Sequence, residues 1–245
     1  MNLWDYFQNN KGKKITKWTQ YFWVYEKHFA HLRDKPIKFL EIGVLNGGSL
    51  QMWREYFHPD STIVGIDINP NCKQHEANGV NIRIGDQSSP EFLQSLIDEF
   101  GTFDVVIDDG SHHVAHVNKT FQFLYPKIAD DGVFLIEDTH AGYWPSHGGS
   151  LTAPESINNV AKGFIDKLNA YYTNGQVRPD EFTIKTKCVS FYDSMIVLEK
   201  GDFGVRRPIE IGEGQRDEGP IIEPVIQEPS VVDVPTGEIL TIRTG

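Results

Sequence analysis

Phe103-Asp-Val-Val-Ile-Asp-Asp-Gly-Ser-His-His113 is an apolar run that ends in two carboxylates, a turn glycine, a hydroxyl and two imidazoles. The apolar half reads as a buried strand. Grouped carboxylates repel one another and are costly to desolvate, so such an ending calls for a chemical reason. A second apolar run, Gly132-Val-Phe-Leu-Ile136, ends the same way in Glu137-Asp138-Thr139-His140. Two strands delivering acids and imidazoles to one sheet edge would make a metal and proton-transfer site.

Outward from these strands the chain alternates between strand and helix patterns. Ile37–Ile42, Thr62–Ile66 and Val80–Ile84 read as strands, ending near Gly43, Asp67 and Asp86. Helices are expected from Ser49 to about Phe57, from Pro90 to Phe100, from Val114 to Ile128 and from Pro154 to Tyr172. Repeated βα units of this length imply a parallel sheet covered by helices on both faces. Ligands of such sheets bind outside the carboxyl ends of the strands, where every polar cluster noted so far falls. Phe182–Phe191 and Ser194–Glu199, joined by Tyr192-Asp193, read as an antiparallel hairpin at the sheet edge.

Two flanking segments complete the organisation. Residues 1–35 are aromatic-rich, and Trp18, Tyr21, Phe22, Tyr25 and Phe29 fall at the spacing of one amphipathic helix. That helix either packs on the sheet or forms a lid, with Lys11-Gly-Lys-Lys14 as a basic access point. The main domain is expected over 36–203. From Gly204 to Gly245 Pro, Glu, Gly and Val dominate, with four basic against eight acidic residues. Val231-Val232 and Ile239–Ile242 could pair as strands, or the tail could order on another surface.

The 245-residue chain carries a net charge of −11 and a pI of about 5.2, which disfavours broad binding to nucleic acid. Cys72 and Cys188 form no CxxC pair, so neither a disulfide framework nor a thiolate zinc site is expected. The N-terminus lacks a secretory pattern, and no apolar run approaches the ~20 residues of a membrane span. A cytoplasmic protein without membrane or nucleic-acid partners is the expectation.

Glu41-Ile-Gly43-Val-Leu-Asn-Gly47-Gly48-Ser49 joins a strand to a helix. Its glycines permit a sharp turn and close approach of a ligand to the helix N-terminus. The spacing is not GxGxxG, which argues against a nicotinamide or flavin dinucleotide. It resembles the ExGxxxGxS form of class I S-adenosylmethionine (AdoMet) methyltransferases. That resemblance implies Asp67 on the ribose hydroxyls and Asp86-Gln87 beside the adenine, with Asp108 also on the cofactor side. From the residues alone, Asp67 could equally cap a helix and Asp86 could equally close a turn.

Alternation along a strand keeps Asp108 and Asp109 from facing one site unless the chain turns there. The two acidic motifs, with Gly65-Ile-Asp67 and the Tyr143-Trp144 loop, resemble the macrolide-sugar and cephalosporin-type O-methyltransferases from about Lys11 to Lys200. The tail after Gly204 is not covered. The resemblance implies a Rossmann-like seven-stranded sheet, mostly parallel, with a C-terminal antiparallel hairpin. It implies magnesium on Asp109, Glu137 and Asp138, with His112 as general base. It also implies a sugar or glycosylated small-molecule acceptor in natural-product or polysaccharide biosynthesis, and a homo-oligomer. Magnesium prefers hard oxygen ligands, which suits these residue types.

Other readings stay open for the same residues. Asp-Gly is a common turn pair, and Glu137-Asp138 could cap a helix or pair with a cation. His116 is expected at the surface or in packing. His140 either supports the site or contacts the acceptor, and Tyr143, Trp144 and His147 form either a sugar-binding wall or ordinary loop packing. At the level of function the competitors are a metal-independent methyltransferase acting on another nucleophile and a non-catalytic AdoMet-binding or assembly protein.

Overall fold

The computed structural model describes residues 2–204 together with Arg206, Ile209, Ile211 and Gly212. The tail strands expected at Val231-Val232 and Ile239–Ile242 lie outside the described residues, as does any ordering of that tail.

Seven strands form one sheet: β1 (Lys38–Ile42), β2 (Thr62–Asp67), β3 (Val80–Ile84), β4 (Val105–Asp108), β5 (Val133–Ile136), β6 (Thr186–Tyr192) and β7 (Met195–Lys200). Their order is β3-β2-β1-β4-β5-β7-β6. β1 to β5 run parallel, while β7 is antiparallel to both β5 and β6. The sheet is therefore mostly parallel with an antiparallel hairpin at one edge, as the sequence pattern predicts. The order reverses between β1 and β4, and a crevice at such a switch point is where ligands bind. The β1 loop and the Asp109 loop meet there.

Period-two alternation divides the core between the two faces of the sheet. Phe39, Ile63, Val105, Ile107, Val133 and Leu135 pack under α1 (Leu3–Gln8), α2 (Tyr21–Phe29) and α3 (Gly48–Tyr56). Leu40, Val64, Val106, Phe134 and Ile136 pack under α4 (Pro90–Phe100), α5 (Val114–Leu124), α6 (Ile157–Lys162) and α7 (Phe164–Leu168). Cys72 and Cys188 are both free thiols.

Three local expectations are corrected. The N-terminal helix starts at Tyr21, not Trp18, and Trp18 is 52% exposed. Residues 10–20 instead form a strap across the carboxyl edge, where the Lys13 N–H donates to Gln51 Oε1 and Lys13 Nζ to the His75 carbonyl. The helix expected over 154–172 breaks at Gly163 into α6 and α7, as the low helix propensity of glycine allows. Phe182 lies in a short helix, α8 (Glu181–Lys185), because Asp180 and Thr183 form a reciprocal capping box. The strand begins only at Thr186. The hairpin turn is Asp193-Ser194, with Ser194 at φ +63°.

α2 is part of the core, with Tyr21, Tyr25 and Phe29 fully buried.

Candidate active site

Strand parity sorts the acids before any contact is considered. Glu41 follows Phe39, Asp109 follows Ile107 and Glu137 follows Leu135 by two residues, so all three face the α2–α3 side. Asp108 faces the other way. There it accepts hydrogen bonds from Gln87 Nε2 at 3.1 and 3.2 Å and from the Gly110 N–H at 3.3 Å. Burial pushes its carboxyl up to about 7 against the pull of these donors. Gln87 Oε1 accepts from the Ser111 N–H at 2.8 Å, so the buried Gln87 fastens the Asp-Gly-Ser turn from below.

The inward-facing acids surround a residue that sequence reasoning missed. Lys17 Nζ donates to Asp109 Oδ2 at 2.5 Å, to the two Glu137 oxygens at 2.9 and 3.0 Å, and to Glu41 Oε1 at 3.4 Å. Its side chain is only 3% exposed. Burial opposes its charge, yet Asp109 and Glu137 outweigh that and hold the ammonium well above the usual lysine range. Tyr25 Oη donates to Glu137 Oε1 at 2.7 Å, while Ser49 Oγ and Trp53 Nε1 donate to Glu41. Burial is the first cause that raises the Glu41 carboxyl. The sequence signal was partial: Tyr21 and Tyr25 recur at helical spacing and a buried tyrosine hydroxyl normally needs a partner, but Lys17 lies before α2 and no periodicity marks it.

At the rim, Asp109, His112 and Asp138 each offer a ligand atom, all within 4.8 Å of one another. His112 Nε2 lies 3.5 Å from Asp138 Oδ2 and 3.9 Å from Asp109 Oδ1. Two left-handed residues create this arrangement: His112 at φ +54° and Asp138 at φ +51°. Parity alone would send Asp138 to the opposite face from Asp109, and the left-handed turn brings it back. Non-glycine residues rarely adopt this region, and such strain concentrates at functional sites. Tyr21 Oη donates to Asp138 Oδ1 and fixes it. Of the expected ligand set, Asp109 and Asp138 thus meet at the rim, while Glu137 is turned inward to Lys17 and Tyr25. Asp109 and Asp138 offer hard carboxylate oxygens that a divalent cation can use, with the His112 imidazole beside them.

The β1 loop lies against this cluster. Gly43, at φ +97°, approaches Asp109 so closely that a Cβ there would sit 2.1 Å from the Asp109 carbonyl oxygen. Gly47, at φ +71°, precedes α3, and a Cβ on Gly48 would meet the Lys14 carbonyl of the strap at 2.3 Å. Asp67 holds the loop: its carboxylate accepts from the N–H groups of Val44, Leu45 and Asn69. Burial works against the Asp67 charge, but those three donors keep its carboxyl below the usual range. Asp86 accepts from the Ser88 N–H and closes its own turn.

Beyond the acids runs a row of rings. Trp18 meets His140 at 5.7 Å, His140 meets Trp144 at 4.8 Å, and Trp144 meets His147 at 5.5 Å between centroids. Tyr143 is exposed beside them, and His140 Nδ1 pairs with Ser194 Oγ. His116 Nδ1 pairs with Ser111 Oγ at 2.9 Å, and the His113 ring lies against Gly148 and His116.

Residues 40–139 match the family model of a methyltransferase domain, the span that holds the glycine loop and both acidic strand ends. The sheet order and its C-terminal antiparallel hairpin are those of the Rossmann-like methyltransferase fold. It is 36% identical over 200 residues to 8-demethyl-8-(2-methoxy-alpha-L-rhamnosyl)-tetracenomycin-C 3'-O-methyltransferase of Streptomyces olivaceus, covering 76% of this chain and 51% of that protein. It is 38% identical over 151 residues to mycinamicin VI 2''-O-methyltransferase of Micromonospora griseorubida, covering 59% of this chain and 37% of that protein. Among solved structures, the MycE methyltransferase of the mycinamycin pathway, in complex with Mg, S-adenosylhomocysteine (SAH) and mycinamycin VI, superposes with a TM-score of 0.75 at 29% identity. That alignment covers 82% of this chain and 54% of that one. The chain spans about half the length, or less, of the curated relatives it matches.

Proposed function

We propose that this chain is an AdoMet-dependent O-methyltransferase acting on a hydroxyl of a sugar or glycosylated small molecule, with a divalent cation, magnesium, at the acidic rim. The observation that carries this reading is the convergence of Asp109, His112 and Asp138 beside the β1 glycine loop. Relatives named for methylating sugar hydroxyls on tetracenomycin and macrolide scaffolds support the acceptor class. A magnesium- and SAH-bound structural neighbour supports the cofactors.

AdoMet supplies an electrophilic methyl group, which the loop of Glu41, Gly43, Gly47, Gly48 and Ser49, with Asp67, Asp86, Gln87 and Asp108, would hold at the switch point. Asp109, Asp138 and Glu137 would hold magnesium, which would supply Lewis-acid charge to the acceptor hydroxyl. The chain's own residues do the rest. His112 Nε2, 3.5 Å from Asp138, accepts the hydroxyl proton while the acceptor oxygen bonds to the methyl carbon and the sulfur–carbon bond breaks. Tyr21 fixes Asp138, and Gln87 fixes the turn that carries His112. His140, Tyr143, Trp144 and His147 offer flat faces to the C–H surfaces of a sugar. A cytoplasmic location fits this chemistry, and among the described residues no helix is long and apolar enough to cross a membrane.

One observation favours a metal-free variant: Lys17 already places a cation between Asp109 and Glu137. The two readings separate in one experiment. Methyl transfer from AdoMet to a rhamnosylated aglycone is followed by mass spectrometry after exhaustive chelation and again after magnesium is restored. Loss and recovery of turnover supports the magnesium reading; full turnover in the chelated enzyme removes it. In the same assay His112→Ala should be slower by about 10²–10⁴ with AdoMet still bound.

A further inference from the structure

We infer that Lys17 is a resident counter-ion that competes with the divalent cation for Asp109 and Glu137, so that this one side chain sets the divalent affinity of the site. The inference rests on the magnesium clause of the proposed function. Lys17 Nζ contacts one Asp109 oxygen and both Glu137 oxygens, and these two residues are two of the three acids offered to magnesium. A divalent cation bonded to the same oxygens would stand within a few ångströms of a buried ammonium. Like charges at that range in a poorly solvated site repel strongly. For the cation to take Asp109 and Glu137, Lys17 has to leave, and the cost of displacing it lowers the apparent affinity.

The fold makes withdrawal of Lys17 feasible. Lys17 lies in the strap and not in α2, so it can leave without unwinding the helix. Apart from Lys17, the side-chain hydrogen bonds among the described residues that tie the strap to the body involve Lys13, its N–H to Gln51 and its Nζ to the His75 carbonyl, and Ile15 packs against the core. Thr16, Trp18 and Thr19 are exposed. The acids do not lose every partner when Lys17 goes, because Tyr25 still donates to Glu137, and Ser49 and Trp53 still donate to Glu41. Trp18 adjoins Lys17 and meets His140 edge-on, so release of the strap also opens the row of rings. Cation loading and access to the acceptor side are thereby linked through one residue.

The test is direct binding of manganese to the full chain, read by electron paramagnetic resonance of free Mn2+, for the wild type, Lys17→Met and Lys17→Arg. Lys17→Met should bind Mn2+ about tenfold or more tightly than wild type, and Lys17→Arg, which keeps the charge, should stay within about threefold. Unchanged or weaker binding by Lys17→Met, or an equal gain in both variants, overturns the inference. Should Lys17→Met fail to fold, hydrogen exchange on the wild type decides: saturating magnesium should speed exchange across residues 11–20. Unchanged or slower exchange there overturns it. Absence of Mn2+ binding in every variant overturns the magnesium clause as well, whereas equal affinities overturn the Lys17 inference alone.

Discussion

Asp108 and Asp109 are adjacent carboxylates with opposite surroundings, and their difference is set by strand alternation alone. Asp109 reaches Lys17 and the rim, while Asp108 is sealed against Gln87. Burial lifts the folded-state pKa of Asp108 from 3.8 to about 7. An acid raised in this way contributes most to stability below its unfolded value and loses that contribution as pH rises through the window up to about 7. Asp108→Asn, which has no charge to desolvate, should therefore gain on the wild type as pH rises. With ~1.4 kcal/mol per pKa unit, the gain should grow by up to ~3 kcal/mol between pH 5 and pH 8 in urea unfolding. A gain independent of pH would refute the buried-acid account. At this scale the sequence shows which acids end which strands, and parity shows that Asp108 and Asp109 part company. It does not show the left-handed turns at His112 and Asp138, nor Lys17, whose path depends on where the strap lies in the folded chain.

The loops that join strand to helix carry the site, and the β1 loop is the most tightly constrained of them. Gly43 needs both a positive φ and room beside the Asp109 carbonyl. Gly43→Ala should be destabilised by at least ~2 kcal/mol, from left-handed strain together with the backbone clash. The check is the urea midpoint, and an alanine variant with the wild-type midpoint would show that the loop can yield. The parallel strands and their connecting helices were legible because buried β-branched runs and glycine-rich turns repeat with a regular spacing. The segments 154–172 and 180–192 were not. A glycine inside a helical pattern and a capping box inside a strand-like run are weak local signals, and tertiary packing on the sheet decided both.

Across the whole molecule, the sheet order β3-β2-β1-β4-β5-β7-β6 brings the ends of β1, β4 and β5 together at one edge. The chain ends of three sequence-distant units therefore converge, and α2 closes the assembly from the N-terminal side with Tyr21 and Tyr25. The arrangement was legible as a fold because strand-end polarity points to a single edge in any parallel sheet. The contribution of the N-terminal segment was legible only as an apolar stripe, since periodicity reports burial and not the partner of a buried hydroxyl.

Lys17 also orders events in time. Its partners lie 24, 92 and 120 residues along the chain. Loops of that length must close, and β1, β4 and β5 must already be paired, before the ammonium finds its three carboxylates. The cluster therefore belongs to the late side of the folding barrier. Stopped-flow chevrons for Lys17→Met should show a folding limb like that of the wild type and a faster unfolding limb, and slowed refolding would place the strap in the nucleus instead. A side chain that docks last is also the first to leave, and for this protein the first segment to come undone is the one that covers the acids.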